Sequence, residues 1–463
     1  MTDQASTEPH RLTEPVHDCR LLPCGVRPAG RVSEIVPPSQ TGSAAVQTAL
    51  FRSGAVVFGF GTLLITSRFL MPAGRGSYVL GLLTVTVVVT LFGSLGLAVT
   101  HHIGSGTASA RSLLSAGLGL SVVLGATTLA VLLFLSLSFF GRSVHSIGLF
   151  ALGLPAVLVT QTVSGTLTGI GRIRHFNVLQ ILPQVLTLMG MIGLVVVLRR
   201  GVSGAAAAWV IGQWLVAITS LALARDLWWP LRGVNWLGHH AVAILRLGMK
   251  LGLVNAVGLL NYRVELFILE AYRGVHDVGI YSLAESLAET LWIASSSIAI
   301  VLVAGAVTSS SADAAALVAR GVRSVLTVLI VVGVFLIAGA IPLLPLVFGR
   351  GFTASIAPLA ILIPGAVAFA PAGLFAVYFS VRLGRTRYPL LAALISAAIT
   401  AVVAVVFVPS LGPSGAAIAT TAGYSVAIIC ESVWFLRATG LSPRALFPTF
   451  RDLESFRILL RRP

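Results

Sequence analysis

Residues 201–206 read GVSGAA, and residues 412–417, a little over 200 positions later, read GPSGAA. A second pair keeps nearly the same spacing, since residues 76–78 read GSY and residues 279–281 read GIY. In each pair the two members lie at equivalent turns between long apolar runs. Chance similarity among small residues does not keep such a register, and the pairs therefore indicate that one structural unit occurs twice in the chain.

Between Ser43 and Arg437 the chain consists almost wholly of apolar runs. Of its 463 residues, 56% are hydrophobic and only 10% are charged, and its mean hydropathy is +0.97. About 20 apolar residues in helical form cross the hydrocarbon core of a membrane. The sequence therefore predicts an all-α integral membrane protein with about twelve transmembrane helices and no large soluble domain. The predicted spans are 45–70, 78–99, 113–139, 146–168, 177–198, 203–224, 248–271, 281–306, 321–347, 356–381, 388–409 and 414–436.

The repeat divides these spans into two sets of six. A third pair supports the division, because GRIR at 171–174 returns as GRTR at 384–387. A six-span unit ends on the side of the membrane where it began, so the two copies form parallel-repeat lobes around a central cavity. The predicted domains are a disordered cytoplasmic tail at 1–43, an N-terminal lobe at 44–225, a cytoplasmic linker at 226–247, a C-terminal lobe at 248–437 and a basic cytoplasmic tail at 438–463.

The formal net charge is +16, a value that in a soluble protein would suggest a nucleic-acid partner. Here the arginines lie mainly in short loops and tails between the apolar runs. Positive charge concentrates in cytoplasmic loops, and alternate loops of this chain hold about twice as many arginines as the others. We therefore expect both termini in the cytoplasm and no nucleic-acid partner. The arginine bias and the many alanines, glycines and valines favour a bacterial source.

No pattern in the sequence predicts catalysis. The three cysteines are too scattered for a disulfide framework or a metal site. The chain has no phosphate-binding loop, no spacing typical of metal ligands, and no loop long enough to form a catalytic domain. We expect a transporter rather than an enzyme, with no catalytic residue, metal or cofactor.

Charged side chains inside spans are candidates for function, because each costs about 2.5–3.5 kcal/mol at the centre of a membrane. Arg263 in the seventh span and Glu289 in the eighth stand at similar depths and could form an ion pair across their hairpin. Glu285 shares a helix face with Glu289. Glu265 and Arg263, two residues apart, point to nearly opposite faces, so at least one of them must have a different neighbour. Such an ion pair either holds two helices together or faces the central cavity, and the sequence leaves both readings open.

Two arginines, Arg52 and Arg68, lie near the two ends of the first span. Long basic side chains near span ends often extend to the lipid headgroups, and guanidinium groups also bind diphosphates well. Both readings stay open. In the repeat, Asn255 takes the place of Arg52, so the first lobe is basic where the second holds carboxylates. That asymmetry would suit a carrier that binds phosphate in one lobe and a coupling cation in the other.

Six motifs along the chain carry a resemblance to a known family. They are SRFLMPAGRGSY at 67–78, TGIGR at 168–172 with Asn177, YRVE at 262–265, VGIYSLAE at 278–285, LVFGRGF at 346–352 and GPSGAA at 412–417. Their order and spacing over roughly residues 45–437 resemble the polysaccharide biosynthesis flippases. These form the Wzx-type branch of the multidrug/oligosaccharidyl-lipid/polysaccharide exporter superfamily.

The resemblance implies a flippase that carries a polyprenyl-diphosphate-linked oligosaccharide across a bacterial cytoplasmic membrane by alternating access, for cell-surface polysaccharide synthesis. Its partners would be the lipid-linked glycan and the membrane lipids, with H+ or Na+ as a coupling ion and a glycan polymerase or glycosyltransferases as further candidates. The candidate substrate-binding residues are Arg52, Arg68 and Arg263. The candidate ion-coupling residues are Glu265, Glu285 and Glu289.

Two rival functions remain at this stage. One is a cation-coupled exporter of small molecules, such as drugs, on the same fold. The drug-exporting branch usually has an acidic residue in its first span, where this chain has Arg52 and Arg68. The other rival is a membrane scaffold of a glycan assembly complex that transports nothing. The peptidoglycan-precursor flippases of the superfamily usually have two additional spans, for which this chain has no room.

Overall fold

The structure, a computed structural model, describes residues 38–138, 145–229, 238, 240–292, 295 and 311–448. Within these ranges the side chains of residues 38–50, 52–53, 137–138, 145–147 and 311–312 are not described. The chain divides into a short unit, Met1–Val46, and a large unit, Gln47–Pro463. Apart from residues 38–46 at the start of the first helix, the helices described below belong to the large unit, and the predicted terminal tails lie mostly outside the described residues.

Every regular element in the described ranges is a helix. The first half contains α1 (Pro38–Gly93), α2 (Leu95–Gly104), α3 (Ala110–Ser138), α4 (His145–Ala151), α5 (Leu154–Gly169), α6 (Ile173–Met191, continued by a π-helical turn at Ile192–Val197), α7 (Gly201–Leu223) and α8 (Arg225–Trp228). The second half contains α9 (His240–Arg273), α10 (Val275–Glu289), α11 (Ser311–Val347), a 3-10 turn (Arg350–Ser355), α12 (Ile356–Phe369), α13 (Ala372–Ala376, continued by a π-helical turn at Val377–Arg382), α14 (Arg387–Leu411), α15 (Pro413–Thr439) and a 3-10 turn (Pro443–Leu446).

Ten stretches of the described chain are long and apolar enough to cross a membrane. The first, Gly54–Gly104, has 51 residues, more than twice what one span needs, so it contains the first two predicted spans. The eighth predicted span is present only as α10, because its remainder falls outside the described residues. The chain is therefore a multi-pass membrane protein, and the observed stretches agree with the predicted order of spans.

The first two spans meet at Met71. Its φ of 61° and ψ of 174° interrupt α1, in a region of backbone space that bulky residues rarely adopt. Pro72 follows and has no backbone N–H to continue the hydrogen bonding of the preceding helix. We refer to the end of the bundle that holds Met71 as the Met71 end, and to the opposite end, which holds Gly104, as the Gly104 end.

Most helix packing occurs within each half, as two lobes require. The most extensive contacts pair α14 with α15, α12 with α15, α14 with α9, α6 with α7, and α3 with α5. One buried cluster of apolar side chains, centred on Phe150 and Trp209, belongs wholly to the first lobe. Another, centred on Phe369 and Tyr424, belongs wholly to the second.

At the Met71 end the lobes meet where α1 crosses α10 without intervening side chains. A Cβ atom built on Gly76 would lie 1.8 Å from the carbonyl oxygen of Val275, and one built on Gly279 would lie 1.8 Å from that of Pro72. Pro72 and Val275 are separated along the chain by the same number of residues as Gly76 and Gly279. The crossing is therefore symmetric between the repeats, and the two repeated glycines are the residues that allow it.

Toward the Gly104 end, the lobes meet a second time through α9. A Cβ atom on Gly252 would lie 1.8 Å from the carbonyl oxygen of Leu91. Asn255 Nδ2 donates a hydrogen bond of 3.1 Å to Ser94 Oγ. Gly252 and Asn255 of α9 thus pack on the first lobe, and the same helix also packs on α14 and α15 of its own lobe.

Candidate functional site

An ion network joins α9 to α10 inside the second lobe. Arg263 Nη2 lies 2.9 Å from Glu289 Oε1 and 3.0 Å from Glu289 Oε2, and Arg263 Nη1 contacts Glu285. The predicted pair of Arg263 and Glu289 is therefore present. The side chains of Arg263 and Glu289 are 25% and 27% exposed, whereas that of Glu285 is 5% exposed. The network thus has a buried part and a part that reaches the surface of the lobe.

Glu265 extends this network on its buried side. Tyr281 Oη donates a 3.2 Å hydrogen bond to Glu265 Oε1 and lies 2.8 Å from Thr420 Oγ1 on α15. Both Glu265 and Tyr281 are fully buried, and the carboxyl groups of Glu265 and Glu285 are neighbours. Glu265 thus has a neighbour other than Arg263, as its position in the sequence predicted.

This network holds more carboxyl groups than cations. One guanidinium, that of Arg263, faces Glu285 and Glu289, with Glu265 adjacent. Carboxyl groups that lie this close together in a low-dielectric setting influence one another's ionisation. Within the described ranges, no three His, Cys, Asp or Glu side chains gather as a metal site would require.

The two arginines of the first span lie apart from this network. Arg68 Nη1 donates a 2.9 Å hydrogen bond to the carbonyl oxygen of Leu346 in the second lobe, and its side chain is exposed. It therefore reaches across the lobes at the Met71 end. Arg52 lies in α1, but its side chain falls outside the described residues, and its proposed contact with phosphate stays a prediction.

Arg75 is a residue whose importance the sequence did not reveal. It is 3% exposed, although the sequence placed it in an outer loop. Its Nη1 lies 3.0 Å from Thr66 Oγ1 and 3.3 Å from Ser67 Oγ, while its Nη2 lies 3.2 Å from the Ser282 carbonyl oxygen and 3.3 Å from Ser286 Oγ. One buried guanidinium thus joins the two lobes, and its place directly before the repeated turn at 76–78 was the available signal.

A cavity of about 440 Å³ opens in the first lobe. Its walls come from α1, α2, α5 and α6, with one residue of α9, and its polar groups are neutral. These groups are Thr90, Ser94, Thr100, Gln161, Ser164, Thr168, Gln180 and Asn255. Amides both donate and accept hydrogen bonds, so this first-lobe cavity can bind a hydroxyl group that donates a hydrogen bond or one that accepts it.

A second cavity, of about 280 Å³, opens in the second lobe. Tyr262, Trp292 and Phe369 form an aromatic wall, and polar side chains come from Asn261, Ser295 and Glu431. The ring centroids of Tyr262 and Trp292 are 5.6 Å apart. Glu431 lies within the last predicted span, and its aromatic surroundings depend on how α9, α12 and α15 are rotated.

The two cavities occupy equivalent places in the repeat. Val89 lines the first cavity and Trp292 the second, and they are separated by the spacing that separates Gly76 from Gly279. Both cavities also touch α9, since Asn255 lines the first and Gly258, about one turn later, lines the second. The cavities therefore adjoin along one helix at the boundary between the lobes.

Comparisons with known proteins agree with this architecture. The sequence model of a family described as polysaccharide biosynthesis protein matches residues 48–306, more than half of the chain. None of the curated protein sequences matches.

Solved structures of two kinds of transporter resemble the fold. Lipid II flippase MurJ in an inward closed conformation matches with a TM-score of 0.73 and 11% identity, over 90% of this chain and 93% of that one. An inward-facing multidrug resistance MATE family transporter of the MOP superfamily matches with a TM-score of 0.67 and 16% identity, over 83% and 94%. An outward-facing one gives a TM-score of 0.60 and 18% identity, over 86% and 95%. At these identities the likeness concerns the fold, and it confirms the expected superfamily architecture.

Proposed function

This chain belongs to the polysaccharide biosynthesis protein family, and from that premise we propose that it is a flippase for a polyprenyl-diphosphate-linked oligosaccharide. It would act in a bacterial cytoplasmic membrane, with both termini in the cytoplasm. The glycan head would pass between the lobes while the lipid tail stays in the bilayer. Glycosyltransferases would supply its substrate, and a glycan polymerase would take its product.

The observation that carries this proposal is the pair of adjoining cavities, one in each lobe. Cavities of about 440 and 280 Å³ are of the size that holds small polar ligands. Their walls contain amides, hydroxyl groups and aromatic rings, which suit a molecule with many hydroxyl groups. Both cavities touch α9, which packs on both lobes, and secondary transporters bind their substrates near the interface between repeats.

The ion network suggests how transport is driven. Arg263 is engaged by Glu285 and Glu289, and its charge is therefore unavailable to a diphosphate while both are ionised. Uptake of protons by these carboxyl groups would release the guanidinium, which binds phosphate well. We therefore assign Arg263 to the diphosphate and Glu265, Glu285 and Glu289 to proton coupling. Arg52 and Arg68 remain candidates for the same anion at other stages of the cycle.

Flipping in proteoliposomes tests the proposal. The substrate is a fluorescent polyprenyl-diphosphate oligosaccharide, and a membrane-impermeant reagent modifies only the sugars of the outer leaflet. We expect transfer that depends on the protein and is accelerated by a proton gradient. Glu289→Gln should lose the acceleration by the gradient, because its amide cannot ionise.

A matched control is Glu270→Gln on α9. The Glu270 carboxyl group makes no ion pair or hydrogen bond within the part of the chain that is described, so this variant should respond to the gradient as the wild type does. Absence of flipping by folded wild-type protein, together with export of small organic cations, would instead establish the exporter function. Absence of both activities would favour the scaffold.

A further inference from the structure

The second-lobe cavity contains two hydrogen-bond acceptors that the protein leaves unused. Asn261 is 1% exposed and Glu431 is 3% exposed. Among the described residues, neither Asn261 Oδ1 nor Glu431 Oε2 has a hydrogen-bond partner, although both residues line the cavity. Buried polar groups are almost always satisfied. Two unsatisfied acceptors on one cavity therefore indicate a site that receives donors from a ligand.

The aromatic wall of this cavity is held in a fixed position. Trp292 Nε1 donates a 3.0 Å hydrogen bond to the carbonyl oxygen of Ala366. Tyr424 lies behind the wall and stacks on Phe369, with ring centroids 4.6 Å apart and an interplanar angle of 16°. Rings held in this way present flat apolar faces of negative potential. The C–H face of a sugar ring packs well on such a surface, and its hydroxyl groups then point outward toward acceptors.

The carboxyl group of Glu431 adds a preference for charge. Two carboxyl groups in one low-dielectric cavity cannot both ionise, so a sugar with a carboxylate is disfavoured. An ammonium group would gain attraction from both the carboxylate and the aromatic faces. The first-lobe cavity has no such preference, because its polar lining residues are all neutral.

We propose, on the basis of the function proposed above, that the second-lobe cavity is a subsite for one sugar unit of the glycan. Glu431 and Asn261 accept hydrogen bonds from that sugar, and Trp292 packs against its face. The subsite takes a neutral or amine-bearing sugar and rejects a sugar that carries a carboxylate. The glycan therefore presents an uncharged or amino sugar to the second lobe.

Binding of free sugars, measured by saturation-transfer NMR on the purified full-length protein, tests the subsite without requiring transport. The probes are methyl glucoside, glucosamine, glucuronate and tetramethylammonium. For wild type we expect Kd to be at least about tenfold lower for glucosamine than for glucuronate, with methyl glucoside between them. Glu431→Gln, which keeps the side-chain volume, should reduce this ratio at least about fivefold.

Glu270→Gln, on α9 outside the lining of the second-lobe cavity, makes the same chemical change and is the matched control. It should leave the ratio of the two Kd values within about twofold. Thermal unfolding of each variant checks that it folds. An unchanged ratio in folded Glu431→Gln, or wild-type binding of glucuronate equal to that of glucosamine, would overturn the subsite. If tetramethylammonium binds and methyl glucoside does not, the subsite would be overturned in favour of a site for organic cations. Selective sugar binding with no flipping would retain the subsite and overturn the flippase.

Discussion

Arg75 shows how a single residue can link two lobes. Its guanidinium group is held by two hydroxyl groups of α1 and donates to α10 across the boundary between the lobes. In the proposed alternating-access cycle the lobes separate at the Met71 end for access from that side, and these bonds to α10 then break. Arg75 therefore favours the state in which the Met71 end is closed.

Replacing Arg75 by methionine should weaken this state. Hydrogen bonds from a charged group contribute about 1.5–3 kcal/mol, and the hydroxyl groups of Thr66 and Ser67 keep their own bonds to helix carbonyls, so no other group is left unpaired. We expect Arg75→Met to lower the thermal unfolding temperature. Arg68→Met, on the same helix but exposed and with a single hydrogen bond, should lower it less. Equal decreases would contradict the role assigned to Arg75.

A second prediction concerns Asp226 at the Gly104 end, outside the spans. Arg172 Nη1 donates a 2.9 Å hydrogen bond to Asp226 Oδ1, and this bond lowers the pKa of Asp226 below its usual value. A lowered pKa stabilises the folded state above the unfolded pKa, about 3.9, and the contribution disappears as the pH falls through the folded pKa. Both side chains are more than a third exposed, so the effect should stay below about 1 kcal/mol.

Unfolding temperatures of wild type and Asp226→Asn, compared from pH 7 downward, check this prediction. The wild type should be slightly more stable at pH 7. The difference should begin to shrink at about pH 4, the unfolded pKa, and should vanish once the pH lies below the folded pKa. Arg172→Gln removes the other half of the pair and is the matched control. Its difference in stability from the wild type should depend on pH in the same way as that of Asp226→Asn. A difference between wild type and Asp226→Asn that persists at low pH would show that the pair is not its source.

At the scale of helices, the crossing of α1 and α10 depends on two glycines. Gly76 and Gly279 each bring the two backbones together where a Cβ atom would overlap a carbonyl oxygen. The overlap is with backbone, which cannot rotate away as a side chain can. The repeated Gly-x-Tyr pattern is thus explained by close packing between lobes, and its tyrosines, Tyr78 and Tyr281, are both buried.

Gly279→Ala should therefore prevent closure of the Met71 end. A cysteine placed at Ser286, with the three native cysteines replaced by serine, would report this through its rate of labelling by a membrane-impermeant maleimide. In Gly279→Ala we expect this cysteine to be labelled at least about tenfold faster than in the protein that keeps Gly279. A tenfold change corresponds to a shift of about 1.4 kcal/mol in the equilibrium between the closed and open Met71 end. Gly59→Ala is the control, because a Cβ atom there would meet nothing within 4 Å. Equal labelling rates in the three proteins would show that the crossing is not needed for closure.

The sequence predicted helices and pairings along the chain better than it predicted lobe contacts. Apolar runs gave the order of the spans, and helix geometry gave the pair of Arg263 and Glu289, because both depend on local spacing. The burial of Arg75 and the convergence of Asn261 and Glu431 on aromatic rings depend on the rotation of distant helices about their axes. No periodicity within one helix contains that information.

At the scale of the whole molecule, two lobes of common origin have acquired different chemistry. The first-lobe cavity is lined by neutral amides and hydroxyl groups, while the second lobe holds the aromatic wall, Glu431 and the network around Arg263. The family match and the fold confirm the expected transporter architecture. The two lobes touch at the Met71 end and again through α9, and alternating access requires these two contacts to open in turn.

Crosslinking across and within lobes tests this requirement in a background without native cysteines. Ser94 and Asn255 lie on different lobes with side-chain atoms 3.1 Å apart, so a short thiol crosslinker between cysteines at these positions should hold the lobes together. Ser121 and Thr162 lie within the first lobe, with hydroxyl oxygens 2.7 Å apart, and provide the matched control.

We expect the crosslink between positions 94 and 255 to abolish flipping until it is cleaved, because one access route can no longer open. The second crosslink should leave flipping unchanged, because a lobe that moves as a rigid body tolerates internal bonds. Continued flipping with the lobes crosslinked at Ser94 and Asn255 would mean that substrate crosses without separation of α9 from the first lobe.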